Sequence, residues 1–343
     1  MANNPPRLSL ALLPTPIEKL ERLSKELGGP DIYVKRDDLT GSLLSGNKIR
    51  KLEYSLAEAL ELGADVIITA GGIQSNHCRA TAICCAKLGL KCHLVLRGGY
   101  GGAPDGNLLL DFLAGATFSF FPREQYSTDR PAIVEKLIAK YAAENIKAYW
   151  IPVGASNAIG SWGYINAYQE IMEQHPTDYF DHIVTAVGSG GTNAGLIVGK
   201  AISNTPGPQI WGVNVCDDAN YFKQEISEIL NEFNERFQLD VGLTNVPIEI
   251  LDGYVGQGYA LPYPDEIALI KHLAHLEGIM LDPVYTGKAM YGLVEEIRKG
   301  RFKKGERVLF LHTGGMFGLF PQKDVFGFPE QAVSDVTPES CKR

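Results

Sequence analysis

The chain has 343 residues, 45% of them hydrophobic, and a net charge of −8 with a pI near 5.5. That length predicts two domains rather than one core, and an acidic balance with no Lys/Arg-rich run excludes a nucleic-acid binder. No apolar run is long enough to span a bilayer, and 8–13, cut off by Pro14 and Pro16 without a basic flank or cleavage site, does not read as a signal peptide, so a cytoplasmic protein without a membrane partner is expected.

From the N-terminus, strands are predicted over 32–35, 66–69, 93–96, 117–121, 148–151, 183–186, 210–215, 248–251 and 308–312. Helices are predicted between them over 48–62, 75–88, 107–114, 130–143, 161–173, 193–203, 219–237, 265–277 and 285–299. The strand segments are continuous apolar runs rather than alternating ones. This pattern predicts an α/β protein with open, twisted, mostly parallel sheets flanked by helices. Residues 322–343 are polar and proline-punctuated and read as a tail.

The six cysteines are Cys78, Cys84, Cys85, Cys92, Cys216 and Cys341. Four lie close together with His77 and His93 nearby, which raises a zinc site. No C-x-x-C spacing occurs, and Cys84 and Cys85 are adjacent. Small buried hydrophobes in a reducing compartment are the expected reading, with no metal.

Three glycine turns fall at predicted strand ends: Gly71-Gly72, the loop 188–192, and Thr313-Gly314-Gly315. Ligands of open α/β sheets sit outside the carboxyl ends of strands, so one shared cleft is expected there. Gly188-Ser189-Gly190-Gly191-Thr192 joins a strand to a helix and offers a phosphate cradle of bare backbone and helix N-terminus. A side chain at Gly190 is expected to block the phosphate's approach. A plain tight turn and a dinucleotide site stay open as alternatives. The latter draws on Asp217 and Asp218 after the next strand, although G-x-G-x-x-G is incomplete.

Lys48 follows Gly46-Asn47 and opens a helix, where a cation is unfavourable by about 0.3–1 kcal/mol. That field suits an amine that must be free and nucleophilic, though a solvated surface lysine remains the alternative. Lys51 follows one turn later on the same face. Ser75-Asn76-His77 opens another helix, either as a simple N-cap or as hydroxyl and amide groups for a substrate carboxylate and a cofactor oxygen. Tyr259, in a glycine-rich loop, and Tyr285, at a helix start, read first as packing residues. A lysine amine beside a phosphate cradle is what pyridoxal 5'-phosphate (PLP) chemistry requires.

Taken in order, Leu13-Pro14-Thr15-Pro16-Ile17, Lys35-Arg36-Asp37-Asp38, Gly46-Asn47-Lys48-Ile49-Arg50-Lys51-Leu52-Glu53, Gly72-Ile73-Gln74-Ser75-Asn76, Asp282-Pro283-Val284-Tyr285-Thr286-Gly287-Lys288 and His312-Thr313-Gly314-Gly315 span nearly the whole chain. The sequence resembles the D-cysteine desulfhydrase and 1-aminocyclopropane-1-carboxylate (ACC) deaminase family of tryptophan-synthase-β-like, fold-type-II PLP enzymes. The resemblance implies that Lys48 carries PLP as an imine, Lys51 and 188–192 hold its phosphate, and Asn76 meets its ring oxygen. Ser75 and His77 would meet the substrate carboxylate, with Tyr259 and Tyr285 flanking the substrate. It also implies a homodimer, with a large domain of 1–50 and 160–343 and a small inserted domain of 51–159.

ACC deaminases typically carry glutamate where Thr286 stands, leucine where Thr313 stands and glutamine where His77 stands. All three departures match the desulfhydrase side. A hydroxyl rather than a carboxylate near the pyridine nitrogen leaves the ring closer to neutral, which suffices for β-elimination. The expected function is therefore a PLP-dependent lyase converting D-cysteine to pyruvate, hydrogen sulfide and ammonia. ACC deamination and elimination from cysteate or serine are the alternatives, and a nicotinamide-binding oxidoreductase is the alternative from another class.

Overall fold

The computed structural model describes residues 4–99, 101–175, 179–204, 206–239, 241–243 and 246–327. Most of the expected tail, and Cys341, lie outside the described residues. The chain starts with β1 (Ile17–Lys19), α1 (Glu21–Leu27) and β2 (Asp31–Lys35), and then α2 (Lys48–Glu61). It continues through β3 (Val66–Gly72), α3 (Asn76–Leu88), β4 (Lys91–Arg97), α4 (Gly106–Leu113), β5 (Thr117–Phe121), α5 (Arg123–Ala143) and β6 (Ala148–Trp150). After these come α6 (Ala158–Gln174), β7 (His182–Val187), α7 (Gly191–Ser203), β8 (Gln209–Asn214), α8 (Ala219–Phe237) and β9 (Glu249–Leu251). The last elements are α9 (Pro264–Glu277), α10 (Thr286–Arg298) and β10 (Arg307–Leu311).

Two sheets result. One has six strands in the order β1-β2-β10-β7-β8-β9, parallel except for the antiparallel pair β1 and β2. The other has four parallel strands in the order β5-β4-β3-β6. The continuous apolar runs explain this. Val308, Leu309, Phe310 and Leu311 are all fully buried, as strands covered on both faces must be. Cys78, Cys84, Cys85 and Cys92 are free and buried on α3 and β4, packed among hydrophobic side chains.

Sequence reasoning misses β1 and α1. The first has three residues, and α1 starts at Leu20 without a side-chain cap, so neither carries a strong local signal. α5 starts at Arg123 rather than 130, with Pro131 inside it where the sequence suggested a first turn. α7 starts at Gly191, so the end of the glycine loop is the first helical turn.

The helix α6 packs against both α2 and α7. Its Gly163 lies so close to α2 that a Cβ there would come within 2.5 Å of the Arg50 carbonyl group and 2.6 Å of the Lys51 nitrogen. Glycine at this crossing sets how near α6 comes to α2. Gly163→Val is expected to cost about 1–3 kcal/mol by overpacking, and Gly163→Ala less, read as falls in thermal unfolding midpoint. A Gly163→Val protein as stable as its parent would show that the two helices have room to part.

Candidate active site

The carboxyl ends of β3, β7 and β10 converge on one cleft. Lys48, Asn76, the loop 188–192, Tyr285 and Thr313 line it, together with Asn47. The start of α2 is fixed by backbone contact. Gly46 has φ +113°, and a Cβ there would lie 2.7 Å from the Thr313 carbonyl oxygen. Asn47 N–H donates to that carbonyl at 3.2 Å, and Gly46 N–H donates to the Asp37 carbonyl at 3.0 Å. Only glycine tolerates both the torsion and the approach. Lys48 thereby emerges into the cleft, and burial pushes its amine down to about 8.

Lys51 lies one turn on, fully buried. Burial, and then the charge of Lys48, hold its amine well below the usual lysine range. No carboxylate pairs with it among the described residues. Its Nζ donates to Ser156 Oγ at 3.3 Å. Ser156 Oγ also accepts the Gly191 N–H at 3.2 Å and lies 2.9 Å from Ser189 Oγ. Asn47 Nδ2 donates to Thr192 Oγ1 at 2.9 Å. A buried lysine amine, two serine hydroxyls and the first turn of α7 thus face one place. That donor set fits a phosphate. Ser156 was missed by sequence reasoning; its one signal is that it follows β6, another strand ending near the cleft.

Gly190 corrects an expectation. A Cβ there would point at Ile226, 3.1 Å away, and Ile229, 3.3 Å away, on α8 rather than into the cradle. The residue is glycine because φ is +77° and the α8 packing is tight, not because the phosphate needs the space.

Ser75 caps α3, its Oγ accepting the Cys78 N–H at 3.2 Å. His77 is corrected. It is buried behind the cleft with Nε2 2.8 Å from Thr69 Oγ1, and the Thr69 hydroxyl donates to the Ile151 carbonyl at 2.8 Å. A carbonyl only accepts, so the His77 Nε2 carries the hydrogen and gives it to Thr69. Burial, then Lys48 and Lys51, hold the imidazole well below its usual range. A neutral ring whose one N–H is spent on Thr69 has no donor for a carboxylate.

Tyr285 and Tyr259 form a phenol pair, their hydroxyl oxygens 2.5 Å apart and their rings edge to face. Burial pushes Tyr259 up to about 12 and Tyr285 well above its ordinary value, so both keep their protons near neutrality. Lys288 holds the Tyr259 loop by donating to the carbonyls of Val255 at 2.6 Å and Gly258 at 2.7 Å. Thr286 departs from expectation. Its hydroxyl donates to Asp282 Oδ1 at 2.7 Å and accepts the Asp282 N–H at 2.8 Å, so both its hydrogen-bonding directions are taken. Of the two threonines, Thr313 lines the cleft.

A family model described as pyridoxal-phosphate dependent enzyme matches residues 8–314. The chain belongs to that family. PLP is its cofactor, the architecture is that of fold type II, and the nicotinamide alternative falls away. Within the PLP enzymes, the chain is 43% identical to a bifunctional D-cysteine desulfhydrase/1-aminocyclopropane-1-carboxylate deaminase, mitochondrial, of Arabidopsis thaliana, over 92% of this chain and 80% of that protein. It is 41% identical to a D-cysteine desulfhydrase of Yersinia pestis, over 92% of this chain and 95% of the relative. A solved structure described as an ACC deaminase homologue superposes with a TM-score of 0.85 at 40% identity, covering 94% of this chain and 95% of that one.

The reactivity of Lys48 follows from its surroundings. Its amine falls from 10.5 to about 8, so the free base grows as pH rises through about 8 and saturates above it. The rate at which apoprotein and PLP form a yellow holoenzyme should climb across that window. A rate that stays flat there would show that the amine is not depressed.

Proposed function

We propose that this PLP enzyme is a lyase that eliminates the β-substituent of a small amino acid, D-cysteine first, giving pyruvate, hydrogen sulfide and ammonia. The observation that carries the reading is the pairing of a depressed amine at Lys48 with the buried, anion-seeking Lys51 one turn away. When bound, PLP supplies a sink for the electron pair left at the substrate Cα. Lys48 Nζ takes the Cα proton as general base. Lys51, Ser156, Ser189, Thr192 and the Gly188, Gly190 and Gly191 backbone hold the phosphate. Asn76 would donate to the ring oxygen, and the Thr313 hydroxyl would serve the ring nitrogen. The Ser75 hydroxyl and the first N–H groups of α3 would receive the substrate carboxylate. Tyr285, protonated and backed by Tyr259, gives a proton to the departing sulfur, so the product leaves as a neutral thiol. Water then completes the balance: cysteine plus water gives pyruvate, hydrogen sulfide and ammonia.

ACC opening is kept as a second reading because the Arabidopsis relative is named for both activities. We further infer a cytoplasmic homodimer with a large domain of 1–50 and 160–343 and a small one of 51–159. The domain division is supported by the strand membership of the two sheets. The compartment is supported by the five free cysteines among the described residues.

The purified holoenzyme should release sulfide from D-cysteine and show little turnover of ACC when D-cysteine, L-cysteine, D-serine, cysteate and ACC are assayed side by side. Efficient opening of ACC with D-cysteine untouched would move the protein to the deaminase reading. Lys48→Ala should lose both turnover and the yellow colour bleached by borohydride. Borohydride labelling of Lys51 or Lys288 in that variant would refute the role of Lys48.

Tyr285→Phe removes a positioned acid and should lower D-cysteine turnover by on the order of 10²–10⁴-fold with PLP still bound. A variant turning over as the parent does would exclude Tyr285 from the proton transfer.

A further inference from the structure

Asn107 lies on α4, is fully buried and has no part in the chemistry described above. Its backbone N–H donates to Gln74 Oε1 at 2.9 Å. Its side-chain Nδ2 donates both to the Gln74 carbonyl at 3.0 Å and to Asn76 Oδ1 at 3.1 Å. Gln74 returns a bond from Nε2 to the Asp105 carbonyl at 3.0 Å. The start of α4 is pressed onto this turn: a Cβ at Gly106 would lie 2.7 Å from Gln74 Oε1.

These contacts admit one assignment of donors and acceptors. The Gln74 backbone carbonyl can only accept, so the Asn107 atom beside it is the amide nitrogen. The same nitrogen faces the Asn76 side chain, so the Asn76 atom there must be the oxygen. Asn76 Nδ2, with both its hydrogens, is left for the cleft that Asn76 lines. From this geometry we propose that Asn107 is a positioning residue, which fixes the Asn76 amide with its N–H groups turned toward the cofactor's ring oxygen. The proposal rests on the reading that Asn76 meets that oxygen. Without Asn107 the Asn76 amide can turn over and present an oxygen to an oxygen.

The test uses full-length holoenzymes: Asn107→Leu, Asn107→Asp, Asn76→Ala and the double variant Asn76→Ala/Asn107→Leu. The visible band, the PLP dissociation constant and the apoprotein's thermal midpoint are measured for each. Asn107→Leu should weaken PLP binding by about tenfold, the worth of one charge-assisted hydrogen bond, and alter the band. Asn107→Asp should do more, because its carboxylate draws the Asn76 N–H groups away from the ring. This variant is nearly isosteric and keeps the test open if Asn107→Leu fails to fold. In the Asn76→Ala background, Asn107→Leu should add nothing to either readout.

Folded Asn107 variants with the parent's band and affinity would overturn the proposal. So would an Asn107→Leu effect of equal size in both backgrounds, which would mark a structural role not acting through Asn76. An Asn76→Ala protein with the parent's band and affinity would instead remove the reading of Asn76, and this proposal with it.

Discussion

The buried charge cluster around Arg50 is the interaction on which the site's geometry depends. Arg50 Nε and Nη2 clasp the two oxygens of Asp37 at 2.9 and 2.8 Å, while Nη1 and Nη2 reach Glu170 at 2.9 Å each. Lys35 Nζ donates to Glu170 at 2.5 Å, to Gln174 at 2.6 Å and to the Thr15 carbonyl at 2.7 Å. Tyr164 adds a hydroxyl bond to Asp37 at 2.5 Å. Two cations thus balance two carboxylates. Burial alone would raise the Glu170 carboxyl, but the bonds from Arg50 and Lys35 win and hold it at about 2. One cluster thereby ties β2, the segment after it, α2 and α6 together. Removing one partner would strand a buried charge, at a cost of about 3–5 kcal/mol. Arg50 stands two residues after Lys48, so the cluster sets the rotation of α2 and with it the direction in which Lys48 points.

A second constraint is electrostatic and works against the fold. Lys48 and Lys51 sit in the first turn of α2, where the helix field opposes cations, and each is depressed by burial. Lys51 is further depressed by its neighbour. A dianionic phosphate beside Lys51 removes that penalty, so cofactor binding is coupled to stability through the same residues that hold it. The arrangement makes Lys51 a cation when the anion is near, and both amines lose their protons more readily than an ordinary lysine.

The α/β class, the three glycine turns and the Lys48 and Lys51 pair were legible because each is a local pattern. An apolar run or a glycine before a helix carries its meaning within a few residues. What was not legible depends on partners far along the chain. Ser156 matters because α6 and α7 bring it to Gly191 and Ser189. The His77 ring turns from the cleft because Thr69, whose own hydroxyl hydrogen goes to the Ile151 carbonyl, takes its Nε2–H. Thr286 is spent on Asp282, four residues away but across a turn whose geometry no propensity reveals. Gly190 was legible as a needed glycine, yet its reason lies in Ile226 and Ile229 of a helix beyond the next strand.

The same accounting narrows the chemistry of the cleft. Asp282 is the carboxylate nearest the Tyr285 turn, and it is fully engaged. Its Oδ1 accepts from the Thr286 N–H and hydroxyl, and its Oδ2 accepts from the Val284 and Tyr285 N–H groups. Among the described residues that line the cleft there is no Asp or Glu. On the proposed reading, a pyridine nitrogen there would meet the Thr313 hydroxyl rather than an acid and would stay closer to neutral. A ring of that kind withdraws electrons less strongly, so the reaction it supports best has a leaving group that carries charge away readily. A thiol departing beside a protonated phenol meets that requirement. Cyclopropane opening, which breaks a carbon–carbon bond without such a leaving group, would ask more of a ring of that kind.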